Sequence, residues 1–233
     1  MSAAVTHSPI VAKVFQNATR TNTSLTASTE KRVLLWLAAR TPQAVGSDHL
    51  TALALLAQIA AGLCFALSAW QHWLLLAVIP CLALNWLGDS LDGTLARHRH
   101  QERTRYGFYV DHIVDLIGGL ALMGGLALSP LAHSTISLLM LLAFFLLAAE
   151  SYLATYTLGR FELAHAFFGP TEIRILLAIG TFAAWRNPHA HILGHTFLLF
   201  DLGGVIGSAC MLVMAFQLAA KHTHQLYKEE PLA

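Results

Sequence analysis

Asp89 and Asp92 stand three residues apart, and Asp111 and Asp115 four apart, in the segment DSLDGTLARHRHQERTRYGFYVDHIVD that runs from 89 to 115. Either spacing sets a pair of carboxylates on one face of a helix. Both pairs border apolar runs, where an unpaired carboxylate costs roughly 2.5–3.5 kcal/mol even on the lenient insertion scale. Something cationic must neutralise them. Hard divalent cations suit oxygen-only ligands, and magnesium or manganese is held by a few carboxylates together with substrate phosphates. Gly93, Ala96 and Gly107 leave room beside the acids for a ligand to approach the backbone, and the planar fork of Arg97 can meet a phosphate. Together these residues describe a site for a metal-bound pyrophosphate. A salt-bridged loop pairing the acids with Arg97, Arg99, Arg103 and Arg105 would need neither helical spacing nor glycines, and this segment has both.

The elements that position such a site are membrane helices. The 233 residues are 56% hydrophobic and 12% charged, with a mean hydropathy of +0.58, a balance that points to a bilayer. Leu50 to Gly88 contains no Asp, Glu, Lys or Arg. As one helix this run would be roughly 58 Å long, about twice a bilayer core, so it holds two spans. Gln71 and His72, between Trp70 and Trp73, mark the turn at an interface. Further spans are expected near 109–128, 135–157, 172–187 and 195–219, with breaks at Ser129-Pro130 and Asn187-Pro188. The fifth, at about 16 residues, covers only about 24 Å.

Charge tests this map, because Lys and Arg concentrate on the cytoplasmic side. With the N-terminus inside, Lys13, Arg20, Lys31, Arg32, Arg40, Arg97, Arg99, Arg103, Arg105, Arg160, Lys221 and Lys228 lie inside and Arg186 outside. Leaving Arg174 aside within the fifth span, 12 of the 13 other cations agree with one orientation. The expected fold is therefore an all-α membrane protein of six transmembrane helices, 49–220, with the acids at their cytoplasmic ends. Residues 1–28 read as a mobile cytoplasmic tail and 221–233 as a second tail. Residues 29–42, with Val33, Leu34, Leu37 and Ala38 on one face, read as an interfacial amphipathic helix. The net charge of +1 argues against a nucleic-acid partner. Cys64, Cys81 and Cys210 have no metal spacing and read as core residues, and His189, His191 and His195 resemble a metal cluster only superficially.

The acidic segment resembles the signature of the CDP-alcohol phosphatidyltransferase family, DxxDGxxAR followed by eight or nine residues and GxxxDxxxD. Asp89, Asp92, Gly93, Ala96, Arg97, Gly107, Asp111 and Asp115 occupy its eight fixed positions, with nine residues between Arg97 and Gly107. The resemblance implies that Asp89, Asp92 and Asp111 hold Mg2+ or Mn2+, as a pair of ions, with Asp115 as a further ligand or as the base. It also implies that Gly93, Ala96, Arg97 and Gly107 line the CDP site. The DHIVD sequence places His112 as in choline and ethanolamine phosphotransferases, where that histidine is a candidate base. The segments ESYLATYTLGRF and GPTEIR are similar to segments of the same enzymes and mark Glu150, Tyr152 and Glu172 as substrate contacts, although Ala149 stands where a Trp often precedes the Glu. Arg160 and Arg174 flank the mouth as candidate phosphate contacts or leaflet anchors.

The partners so implied are a CDP-linked donor, a hydroxyl acceptor, membrane lipids and a second copy of the chain, in a bacterial inner membrane. The donor is CDP-diacylglycerol or a CDP-linked small alcohol, since the signature recognises only the shared CDP part. A cation transporter could also place four acids in a helical bundle. Transport, however, would require neither the AR element nor a pathway confined to the inner side.

Overall fold

The computed structural model describes residues 19–21, 27–162, 169–192 and 194–230, without the side chains of 19–21, 27 and 160–162. Among these residues seven helices form: α1 (Ala27–Ala38), α2 (Ser47–Leu67), α3 (Leu74–His98), α4 (Thr104–Ala127), α5 (Ser134–Leu158), α6 (Pro170–Arg186) and α7 (Leu199–Glu229). Two short strand pairs accompany them. In the first, β1 (Thr19–Thr21) runs parallel to β2 (Arg160–Glu162), and in the second, β3 (His189–Ile192) is antiparallel to β4 (His195–Leu198). Most of the expected tail 1–28 lies outside the described residues.

Helices α2, α3, α4, α5 and α7 are long and apolar enough to cross a membrane, as expected of an all-α integral membrane protein. At 17 residues α6 falls short of that length. The last helix differs from expectation at both ends. Residues 195–198 belong to the hairpin that turns at Gly194, whose φ of +81° is open to glycine, and α7 continues past 220 to Glu229. The α6 break is where the sequence put it, because Pro188 has no amide hydrogen to continue the ladder and its carbonyl instead accepts from Leu199 at 2.8 Å. Of the cysteines, Cys64 and Cys81 pack on the core as expected, but Cys210 faces outward.

These five helices and α6 close into a ring in the order α2, α3, α6, α7, α5, α4 and back to α2. Between helices in lipid the hydrophobic effect supplies little drive, so close backbone approach through small residues matters most. A Cβ on Gly62 would collide with the Ala121 carbonyl, one on Gly125 with the Gly62 carbonyl, and one on Gly88 with the Leu50 carbonyl. Helix α2 is thereby locked to both α4 and α3, whereas α3 and α4 hardly touch each other.

One end of the ring is filled by apolar side chains. Phe65, Leu75, Val78 and Leu126 are completely buried there, with Phe65 edge-on to Phe200 at 5.8 Å. The same end is tied by His72 Nε2 to the Trp185 carbonyl at 2.8 Å, and by Asp201, which accepts from the His133 amide at 2.7 Å and pairs with its ring. At the opposite end α1 lays Leu34 and Ala38 against Leu50, Leu91 and Leu95, while Val33, Leu35 and Trp36 stay exposed. Arg99 holds the α1–α2 connection by donating to the carbonyls of Thr41, Pro42 and Val45 at 2.7–2.9 Å. Arg103 hydrogen-bonds Asp48, which raises the arginine pKa.

The glycine lock makes a direct prediction. Gly125→Ala should destabilise the protein by about 1–3 kcal/mol, whereas Gly124→Ala, with nothing within 4 Å of its added carbon, should not; thermal unfolding in detergent measures both.

Candidate active site

At the end of the ring opposite the apolar fill, Asp89 projects from α3 and Asp111 and Asp115, one turn apart, from α4. Carboxylate oxygens of these three residues lie within 4.8 Å of one another, and all three side chains are half-buried. Because α3 and α4 do not pack together, the acids meet across a gap that α2 holds at fixed width.

Asp92, expected as a fourth ligand, is not in this group. Three residues beyond Asp89 it is turned toward α2, where it is buried. There it accepts from Thr51 Oγ1 at 2.5 Å and from the Gly93 amide at 2.5 Å, and Ser47 Oγ donates to its backbone carbonyl at 2.9 Å.

Arg174 reaches in from α6. Its Nη2 donates to Asp89 Oδ2 at 2.6 Å and its Nε to Asn85 Oδ1 at 2.7 Å. Side-chain exposures of 15% for the arginine and 21% for the aspartate make this an interior ion pair, not a leaflet anchor. Asn85 is itself oriented, because its Nδ2 hydrogens go to the Ala54 carbonyl at 2.9 Å and to Gln58 Oε1 at 3.1 Å. Gln58 in turn occupies the space that the absent side chain of Gly118 leaves. A polar chain thus runs Gln58, Asn85, Arg174, Asp89 through otherwise apolar helices, with each carbonyl oxygen meeting a donor.

The remaining expected residues are dispersed around this centre. His112 lies between Phe108 and Tyr152, at ring separations of 4.0 and 4.6 Å, and its Nδ1 is 2.6 Å from the Phe108 carbonyl. A carbonyl only accepts, so Nδ1 carries the hydrogen, and in the neutral form of the ring Nε2 is the basic nitrogen. Tyr152 donates to the His112 carbonyl at 3.4 Å. Glu150 pairs with His222 of α7 at 2.6 Å. Glu172 accepts from the Gly169 amide at 2.9 Å and so closes the first turn of α6 behind Pro170, which gives the GPTE motif a helix-capping role. Arg97 is exposed beside Gly93 and donates to Thr94 Oγ1 at 3.3 Å, Ala96 is half-buried, and Gly107 is open to solvent. The side chain of Arg160 lies outside the described residues. Among the described residues no metal-ligand group forms at His189, His191 and His195.

Sequence reasoning missed Asn85, Gln58, Thr51 and His222. Asn85 had a signal, since a polar side chain one turn before Asp89 within an apolar run shares its face. The other three owe their places to neighbouring helices, which local spacing does not reveal.

The fold is that of an all-α membrane protein that gathers three carboxylates beside a guanidinium, at one end of a ring whose other end is filled. The sequence profile described as CDP-alcohol phosphatidyltransferase matches residues 45–220, and the chain belongs to that family. It is accordingly a transferase of substituted phosphate groups, and the family implies a CDP-alcohol donor, a hydroxyl acceptor and a place in phospholipid synthesis. Comparison with curated proteins gives no match.

The family is typically dependent on a divalent metal, and the residues fit one: the donors are all oxygen, all carboxylate and within 4.8 Å, close to the ~4 Å across which two oxygens face each other on magnesium. Asp89→Asn and Asp111→Asn should each weaken Mn2+ binding at least about tenfold. Titration followed by electron paramagnetic resonance checks this without substrate.

Proposed function

We propose that the chain transfers a phospho-alcohol group from a CDP-linked donor to a hydroxyl acceptor and releases CMP. The observation that carries this reading is the meeting of Asp89, Asp111 and Asp115, from helices that do not pack together, inside the region that matches the family. In this reading the three acids hold Mg2+ or Mn2+, as two ions, with Asp92 alongside. The bound cations supply charge neutralisation at the pyrophosphate oxygens.

Arg97 of α3 and Arg174 of α6 grip donor phosphates. The acceptor hydroxyl attacks the phosphorus distal to cytidine, the phosphoanhydride bond breaks, and CMP departs with the bridging oxygen. The hydroxyl proton passes to Asp115, which belongs to the acid cluster, and His112 through Nε2 is the second candidate for that role. The acid-bearing end faces the cytoplasm of a bacterial inner membrane, α6 completes six crossings as a short span, and the exposed edge of α1 rests on the inner leaflet. The apolar fill at the far end weighs against a transport path.

Glycines support the assignment of the CDP site. Gly62, Gly88 and Gly125 are required by packing, but a Cβ on Gly107 would meet nothing within 4 Å and one on Gly93 only the flexible tip of Arg97. Gly93→Ala and Gly107→Ala should therefore leave stability unchanged or up to about 1 kcal/mol higher, while raising the donor KM.

The decisive assay is CMP release by purified protein in lipid with Mg2+ or Mn2+. It compares CDP-diacylglycerol plus mixed alcohols with CDP-choline or CDP-ethanolamine plus diacylglycerol. CMP from one set identifies the donor class, and none from either refutes the reading. Asp111→Asn should abolish release in a folded protein. His112→Ala at a near-normal rate leaves the proton with Asp115, whereas a loss of about 100-fold or more assigns it to His112.

A further inference from the structure

Glu30 lies on the stripe of α1 that carries Leu34 and Ala38, four and eight residues on, both buried against the bundle. Packing alone would put an apolar residue there. Instead Glu30 Oε1 accepts from three donors: the Trp86 indole at 2.8 Å, Ser90 Oγ at 3.1 Å and Thr171 Oγ1 at 2.9 Å. Trp86 and Ser90 sit on α3 either side of Asp89, and Thr171 sits in the first turn of α6, three residues before Arg174. These are the two helices that the Arg174–Asp89 pair joins. One carboxylate oxygen on a third helix therefore ties both sides of that ion pair.

We infer that Glu30 is a positioning residue: acting from α1, it sets the first turn of α6 against α3 and so aims Arg174 at Asp89 and at the donor phosphates. This rests on the reading of the site given above. The acids themselves are held by the glycine crossings of α2, which Glu30 does not touch. Its loss should therefore displace the guanidinium and spare the cation site. All three donors are neutral, so a carbonyl oxygen can replace the carboxylate.

The test uses the full chain in lipid nanodiscs. Glu30→Ala should raise the donor KM about tenfold without weakening Mn2+ binding, and Glu30→Gln should stay within about threefold of the parent. In an Arg174→Ala background Glu30→Ala should add less than about twofold, as coupled residues do. Hydrogen exchange at amides 171–176 should quicken in Glu30→Ala, while that at 111–117 stays unchanged. An unchanged KM in Glu30→Ala, Mn2+ binding weakened in step with KM, or effects of Glu30→Ala and Arg174→Ala that simply multiply would each overturn the inference. If the parent protein releases no CMP from any donor, the proposed function fails by itself. Exchange then judges Glu30, and an unaltered rate at 171–176 refutes its role.

Discussion

Three carboxylates drawn together within a bilayer repel one another and resist leaving water, and the architecture answers that difficulty. Asp89 and the Asp111–Asp115 pair come from helices that barely meet. No direct packing between α3 and α4 opposes the repulsion, so the width of the gap is set elsewhere. Helix α2 sets it, through backbone approaches that only glycine permits at Gly62, Gly88 and Gly125. Arg174 supplies opposite charge from a third direction, and Asn85 fixes its approach. Uncompensated, such a group would drive its helices apart or take up protons. Held and partly neutralised, it stays together.

Much of this was legible along the chain because the governing distances are short. The i, i+3 and i, i+4 spacings of the acids, the uncharged run from Leu50 to Gly88 and the breaks at Ser129-Pro130 and Asn187-Pro188 act within a turn or two of helix, and the bounds of α2 to α6 follow them. What was not legible depends on partners remote in sequence. Asp92 shares local spacing with Asp89, yet it faces Thr51, 41 residues away. Arg174 read as a cation at a helix end, but Asp89, 85 residues before it, draws it inward. Glu150 read as a substrate contact and finds His222. The start of α7 was misplaced for a local reason: residues 195–198 are apolar enough to extend a span, and the positive φ at Gly194 that makes them a strand leaves no hydropathy signal.

The two ends of the ring differ in kind. One is sealed by aromatic and aliphatic side chains and latched by His72 to the end of α6 and by His133 to the start of α7. The other is polar, more open and bordered by arginines. The latches give the bundle a fulcrum. Arg174 lies 12 residues from the tied end of α6 at Arg186, a lever arm of about 18 Å along the helix axis. Tilting α6 by five degrees about that end would carry the Arg174 turn through about 1.5 Å, enough to break a hydrogen bond of ordinary length, while the sealed end scarcely moved. A stiff anchorage far from the chemistry thus turns a slight inclination of one short helix into a decisive displacement where the charges meet.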